Sequence, residues 1–239
     1  MKAVHDGLIS TAGIVTSNLV FLLDAGETAS YSGSGTTWSS IIGSTNNLTL
    51  TGSPTFTSAG SSSYFTFNGS SQYARTATIP SSLTNNFSMC GWIYPANINQ
   101  IGVAVQNGRD DGANPAYNGY GFGVGNGAGS AGAKLQAAAW GVAWIDPGYT
   151  FPSANAWYYI VMLRDAGTFK FYVNGTQTAS TSATVPNTPT ENFSIGAGFG
   201  VVGARYFNGR ISVVQFYSKV LSQSEITQNY NAQKGRYGL

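Results

Sequence analysis

The stretch Phe169-Lys170-Phe171-Tyr172-Val173-Asn174-Gly175-Thr176-Gln177-Thr178-Ala179-Ser180 decides the fold class. Phe169, Phe171 and Val173 alternate with Lys170 and Tyr172, which is the two-residue period of a strand that turns one face to a core. Asn174-Gly175 then interrupts the pattern, and both central residues of a type I′ turn need positive φ, which Asn and Gly tolerate best. The sequence therefore predicts a β-hairpin over these residues.

The same punctuation recurs outward from this hairpin, at Asn68-Gly69, Asn107-Gly108, Asn118-Gly119, Asn126-Gly127 and Asn208-Gly209. Strand-like runs lie between these pairs, at 64–67, 87–94, 157–163 and 210–217. Many short strands with Gly/Asn turns predict an all-β sandwich. One helix is predicted near the end, because Ser222-Gln223-Ser224-Glu225 fits a capping box and Ile226 and Tyr230 share a face four residues apart. Residues 1–17 have no periodic pattern and read as an N-terminal arm, 18–235 as one domain and 236–239 as a tail.

Composition narrows the function classes. Gly, Ser, Thr and Asn make up 100 of the 239 residues, while only 8% of residues are charged, with 11 Lys plus Arg against 9 Asp plus Glu. Hydrophobic residues still reach 42% and aromatics 13%, enough apolar surface for a core. A scattered net charge of +2 does not suit a protein that tracks nucleic-acid phosphates. The nearest approach to a basic cluster, Arg205, Arg210, Lys219, Lys234 and Arg236, reads as a solvated face. No run of 18 apolar residues offers a membrane span. The single Cys90 and single His5 leave Cys/His catalysis without its parts, and Cys90 lies in an apolar run and reads as buried.

Around residues 119–132 the pattern is unusual. Tyr120, Phe122 and Val124 alternate with Gly119, Gly121, Gly123 and Gly125, a strand with one bare face that another backbone or a ligand can approach. Gly127-Ala128-Gly129-Ser130-Ala131-Gly132 matches G-x-G-x-x-G literally, but a strand-like run follows it and Asp146 lies 14 positions beyond Gly132. A dinucleotide site needs a helix after the glycines and an acidic residue about 20 positions on.

Three stretches together resemble the laminin-G-like members of the concanavalin A-like lectin/glucanase superfamily over roughly residues 18 to 235. They are Tyr64-Phe65-Thr66-Phe67-Asn68-Gly69 with Gln72-Tyr73, then Trp157-Tyr158-Tyr159-Ile160 with Phe169 to Gly175, then Phe207-Asn208-Gly209-Arg210-Ile211 running through Phe216-Tyr217 to Leu221-Ser222 and Glu225-Ile226. The resemblance implies a jelly-roll β-sandwich of two antiparallel sheets. A finer resemblance lies at the ends, in Leu22-Leu23-Asp24-Ala25-Gly26 with Ser30 to Trp38, and in Asn229 to Leu239. These are similar to laminin-G-like virion structural proteins of tailed bacteriophages. That likeness implies a particle component in the virion, assembled in several copies with capsid or tail proteins as partners, as a surface decoration or part of a fibre.

Glucanases of this superfamily place carboxylates at alternate positions of one strand, because one acid protonates the leaving oxygen while another acts from the opposite face. Here Asp24 and Glu27 are three apart, Asp110 and Asp111 are adjacent, and Asp6, Asp146, Asp165, Glu191 and Glu225 are solitary. The chain is therefore expected to be non-enzymatic and to need no cofactor. Calcium-holding relatives often carry Asp where this chain has Asn68, Gln72 and Ser212, and these departures weaken an ion site of the family type. A local alternative is a weak calcium site at Asp110, Asp111 and Asn114. Binding of a host surface glycan is the alternative to a purely structural role. Its candidate platform is Trp140 and Trp144 with Tyr117 and Tyr120, set against a reading of Trp140, Val142 and Trp144 as one apolar strand face.

Overall fold

The computed structural model describes residues 13–43, 46–76, 84–109, 118–182, 185–189, 193–198 and 205–239. The first strands are β1 Leu19–Asp24, β2 Thr37–Trp38, β3 Leu48–Thr51, β4 Thr55–Thr57, β5 Tyr64–Asn68, β6 Tyr73–Thr76, β7 Asn86–Pro95 and β8 Gly102–Arg109. They are followed by β9 Asn118–Gly125, β10 Lys134–Ala139, β11 Ala143–Ile145, β12 Tyr158–Asp165, β13 Thr168–Val173, β14 Thr176–Ser182, β15 Phe193–Ile195 and β16 Asn208–Tyr217. Helix α1, Gln223–Gln233, and a 3-10 turn, Lys234–Tyr237, end the chain.

The strands form two antiparallel eight-stranded sheets. Sheet A runs β14-β13-β12-β7-β16-β5-β4, and β1 pairs with the second half of β16 beyond the reach of β5. Sheet B runs β11-β10-β9-β8-β15-β6-β3-β2. Alternation along each strand sends one set of side chains between the sheets. Phe87, Met89 and Ile93 of β7 and Ile160 and Met162 of β12 meet Tyr120, Phe122 and Val124 of β9 and Phe193 of β15 there, all buried. At about 1.5–3 kcal/mol per buried large apolar side chain, this layer is the main source of stability. The jelly-roll sandwich implied by the sequence is the fold.

A second apolar layer covers the outside of sheet A. Cys90 and Trp92 of β7, Tyr159 and Val161 of β12 and Val213 and Tyr217 of β16 pack under Ile226 of α1 and under Ile14 and Val15. Burial pushes the Cys90 thiol up to about 12. The capping box forms as predicted, with Ser222 Oγ accepting from Glu225 N–H and the Glu225 carboxylate accepting from Ser222 N–H. The arm boundary needs correction. Residues 13–17 are docked, since Val15 N–H donates to Asn229 Oδ1 at 2.8 Å and Tyr217 OH donates to the Val15 carbonyl at 2.9 Å. Residues 1–12 lie outside the described residues.

The tail boundary needs the same correction. Arg236 donates to the buried Asp24 carboxylate at 2.6 Å, and Tyr237 packs at a tilt against Trp92 with ring centres 4.2 Å apart. The predicted hairpin is present, with Asn174 at φ +51° and Gly175 at +82° between β13 and β14. Two other Asn-Gly pairs are no turns at all. Asn107-Gly108 and Asn118-Gly119 face one another in the β8–β9 ladder, where a Cβ on Gly119 would stand 1.9 Å from the Asn107 carbonyl oxygen.

Candidate functional site

Strands β10 and β11 pair Ala139 with Ala143, so residues 140–142 form a three-residue hairpin loop, with Gly141 at φ +76° and Val142 N–H donating to the Ala139 carbonyl. The alternation of Trp140, Val142 and Trp144 therefore comes from a tight turn, and the strand-face reading of these residues is corrected. The turn sets the two indoles edge to face, with centroids 5.2 Å apart and an interplanar angle of 86°. Trp140 is 4% exposed and Trp144 36% exposed. Trp140 N–H donates to the Gly119 carbonyl at 2.9 Å, which ties the turn down onto β9.

Arg205 closes the third side. Its guanidinium carbon lies 5.0 Å from the Trp144 ring centre and 5.6 Å from that of Trp140, within cation–π range. The Arg205 carbonyl accepts from Val103 N–H at 2.8 Å, and its backbone sits at φ +33°, a left-handed conformation that only a constrained non-glycine residue keeps. Between Arg205 and residues 138–144 lies an open cavity of about 250 Å³. The indole Nε1 of Trp140 is buried without a hydrogen-bond partner. A buried donor of this kind loses about 1–3 kcal/mol of solvation unless an acceptor reaches it.

The glycine-rich loop before β10 holds Trp144 from behind. Gly127 and Gly129 N–H both donate to Gln136 Oε1, and a Cβ on Gly129 would stand 2.6 Å from the Trp144 indole. Those glycines make room for an indole, and β10, not a helix, follows them. The bare face of β9 receives a backbone: a Cβ on Gly123 would meet the Gly102 carbonyl at 1.9 Å.

The remaining sequence candidates separate. Tyr120 is fully buried between the sheets, its ring stacked on Phe87 at 3.9 Å, so it presents no face to a ligand and is corrected to a core residue. Tyr117, Asp110, Asp111 and Asn114, the last three the local calcium candidates, lie outside the described residues. The family-type ion positions do not fit a metal. Asn68 Oδ1 accepts from Ser70 and Ser71 N–H, Gln72 donates to the carbonyls of Gly52 and Ser53, and Ser212 is held between the Ser63 carbonyl and Tyr237 OH.

Four described carboxylates face cations: Asp24 with Arg236, Asp146 with Lys134, Asp165 with Lys170 and Glu225 with Lys219. Burial opposes ionisation of Asp146, yet hydrogen bonds from Lys134 and Gly148 outweigh it and hold that carboxyl below its ordinary range. Burial and the charge of Asp24 push Glu27 the other way, above its ordinary value. The five basic residues of the C-terminal half form no common solvated face. Arg210 lies between the rings of Tyr64 and Tyr94, Lys234 lies over Tyr230, and the other three have the partners already described. A second cavity, of about 260 Å³ among residues 28–39, is lined by Ser and Thr hydroxyls and holds no aromatic or charged side chain. The signal that sequence reasoning lacked was Arg205, which nothing in its neighbourhood along the chain connects to the two tryptophans.

A family model described as concanavalin A-like lectin/glucanases superfamily, of the laminin-G type, matches residues 68–227. No curated protein sequence matches the chain. Among solved structures, domain 4 of AbnA, an extracellular GH43 arabinanase from Geobacillus stearothermophilus in complex with arabinotriose, superposes with a TM-score of 0.66 at 19% identity, covering 89% of this chain and 98% of that one. Trypanosoma rangeli sialidase gives 0.66 at 16% identity over 93% of this chain, which spans only 34% of the sialidase. The binding domain of Paraclostridial Mosquitocidal Protein 1 gives 0.62 at 17% identity, covering 90% of this chain and 52% of that one. At these identities the likeness concerns the fold.

Proposed function

We propose, from the premise that the chain belongs to the concanavalin A-like lectin/glucanases superfamily, that it is a non-catalytic, sugar-binding structural component of a tailed-bacteriophage particle. The observation that carries the sugar-binding part is the cavity between Trp140, Trp144 and Arg205, which combines an exposed indole with room for about one sugar ring. Aromatic faces receive the C–H side of a sugar while convergent polar groups fix its orientation. Two of the similar structures agree with a binding role: one is in complex with arabinotriose and the other is by name a binding domain. A non-catalytic reading is supported by the carboxylates, four of which are neutralised by cations. The test is titration of the purified chain against a glycan array. Trp144→Ala should abolish whatever binding the wild type has, and unchanged binding would remove the cavity from the proposal.

The particle placement rests on the resemblance of the terminal stretches, and in the fold those stretches form one unit, with Asp24 of β1 paired to Arg236. Surface display in several copies beside capsid or tail proteins follows from that reading. Mass spectrometry of purified particles should find the chain, and particles without it would end the virion assignment while leaving sugar binding to stand or fall alone.

A further inference from the structure

We propose that the outer face of sheet A beside α1 is a two-fold contact with a second copy of this chain, in which Arg210 of each copy receives Glu27 of the other. This face lies on the opposite sheet from the tryptophan cavity. The contact needs neither sugar nor particle, and it gives the several copies of the particle reading a surface on which to meet. Its negative end holds Asp24, Glu27 and Arg236. Arg236 pairs with Asp24 at 2.6 Å, and both of those charges act on Glu27. Two carboxylates against one guanidinium leave a net negative charge there. Among the described acidic side chains Glu27 is the one without an ion pair.

Arg210 is the positive end. It lies opposite Tyr94 in the β16–β7 ladder, and its guanidinium carbon is 4.3 Å from the Tyr94 ring centre and 4.7 Å from that of Tyr64. These rings engage the plane of the guanidinium, whereas its N–H donors lie around the edge in a fork suited to a carboxylate. Among the described residues nothing accepts a hydrogen bond from Arg210 and no carboxylate pairs with it. Between the two ends runs a strip of rings. Trp157 lies 4.7 Å from Tyr237, 5.8 Å from Tyr64 and 5.3 Å from Tyr94, and all four are half-buried. Trp, Tyr and Arg are the residues enriched where proteins meet. A two-fold axis through this aromatic middle exchanges the ends and lays each positive end on the negative end of the other copy. The face therefore carries its own complement, whereas a partner of one charge sign would match only half of it.

The experiment is sedimentation velocity of the purified full chain over concentrations up to about 200 μM, at low and high salt. The wild type should form a dimer that salt weakens. Symmetry repeats every substitution on both sides of the axis, so Arg210→Glu and Glu27→Arg should each weaken the dimer at least about tenfold, and Arg210→Gln and Glu27→Gln by less. The double variant Arg210→Glu/Glu27→Arg reverses both ends and should recover the dimer, which a chain that merely failed to fold cannot do. A wild type that stays monomeric throughout would overturn the contact. So would a dimer that none of the four single variants weakens, because another face then holds it. If both reversals break the dimer, circular dichroism shows every variant folded and the double variant still fails to associate, Arg210 and Glu27 do not face one another and the proposal falls. None of these results decides the glycan titration or the search for the chain in particles.

Discussion

On the outside of sheet A, Trp92 Nε1 donates to Gln233 Oε1 at 2.8 Å, and its ring is covered by Tyr159, Tyr230 and Tyr237. On the outside of sheet B, Trp140 is almost as deeply buried, yet its Nε1 has no partner and its ring opens on a cavity beside Arg205. Trp38 Nε1 also lacks a partner, but it lies against Phe65 in the closed core, where no ligand arrives. The difference between the two outer faces lies in what comes after each strand. Sheet A is sealed by a capped helix that brings an acceptor to its tryptophan, whereas the glycine-rich turns over sheet B leave the Trp140 Nε1 without one. Neither burial nor an unpaired indole N–H separates structure from function, since Trp38 has both; the cavity beside Trp140 and Trp144 is what sets the sheet B face apart.

The comparison is most sharply broken by Trp92→Ala. Removing a fully buried indole should destabilise the chain by about 3–5 kcal/mol, measured by urea denaturation. A loss below about 1 kcal/mol would mean that the layer under α1 is not a true core. Second comes Arg236→Ala, which leaves the carboxylate of Asp24 buried without its cation and should cost about 3 kcal/mol. If that variant melts like the wild type, the C-terminal turn is a tail after all, as the sequence reading had it.

Those boundaries show where sequence reasoning stops. The Asn174-Gly175 hairpin and the Ser222 capping box were legible because a local rule and the final structure agree, each set by neighbours along the chain. Residues 13–17 and 236–237 read as loose ends because their partners, Asn229, Tyr217, Asp24 and Trp92, lie far away in sequence. At Asn107-Gly108 and Asn118-Gly119 the turn signal marked close backbone approach instead, since glycine serves both needs. Trp140 and Trp144 were named from composition, but their alternation fits a strand and a three-residue turn equally well. Only the pairing of Ala139 with Ala143 decides between them. Arg205 was out of reach because it joins the site from a loop more than 60 residues away.

Third in size is the cap on sheet A. Ser222→Ala should cost about 1 kcal/mol by removing the acceptor for Glu225 N–H. Burial alone would raise the Glu225 carboxyl, but hydrogen bonds from Lys219 and Ser222 prevail and hold it below its ordinary value. A carboxyl lowered in the folded state stabilises above its unfolded pKa of about 4.3 and loses that contribution as pH falls through the folded value. Circular dichroism on acidification below about pH 4 should therefore show α1 loosening, and a helix signal flat to pH 2 would exclude the carboxylate as part of the cap.

The smallest stability change belongs to the residue with the largest expected functional one. Trp144 is 36% exposed on the short strand β11 at the edge of sheet B, so Trp144→Ala should shift stability by less than about 1 kcal/mol, as expected of a partly exposed side chain on an edge strand. Gly129→Ala should act on the same indole from behind, because its Cβ must displace the ring or the loop. Trp144→Ala should melt near the wild type and Gly129→Ala below it, because φ +88° strains any side chain there, and both should fail to bind sugar. A Trp144→Ala chain as unstable as Trp92→Ala would erase the distinction between the two faces and make the open tryptophan a packing residue like the sealed one.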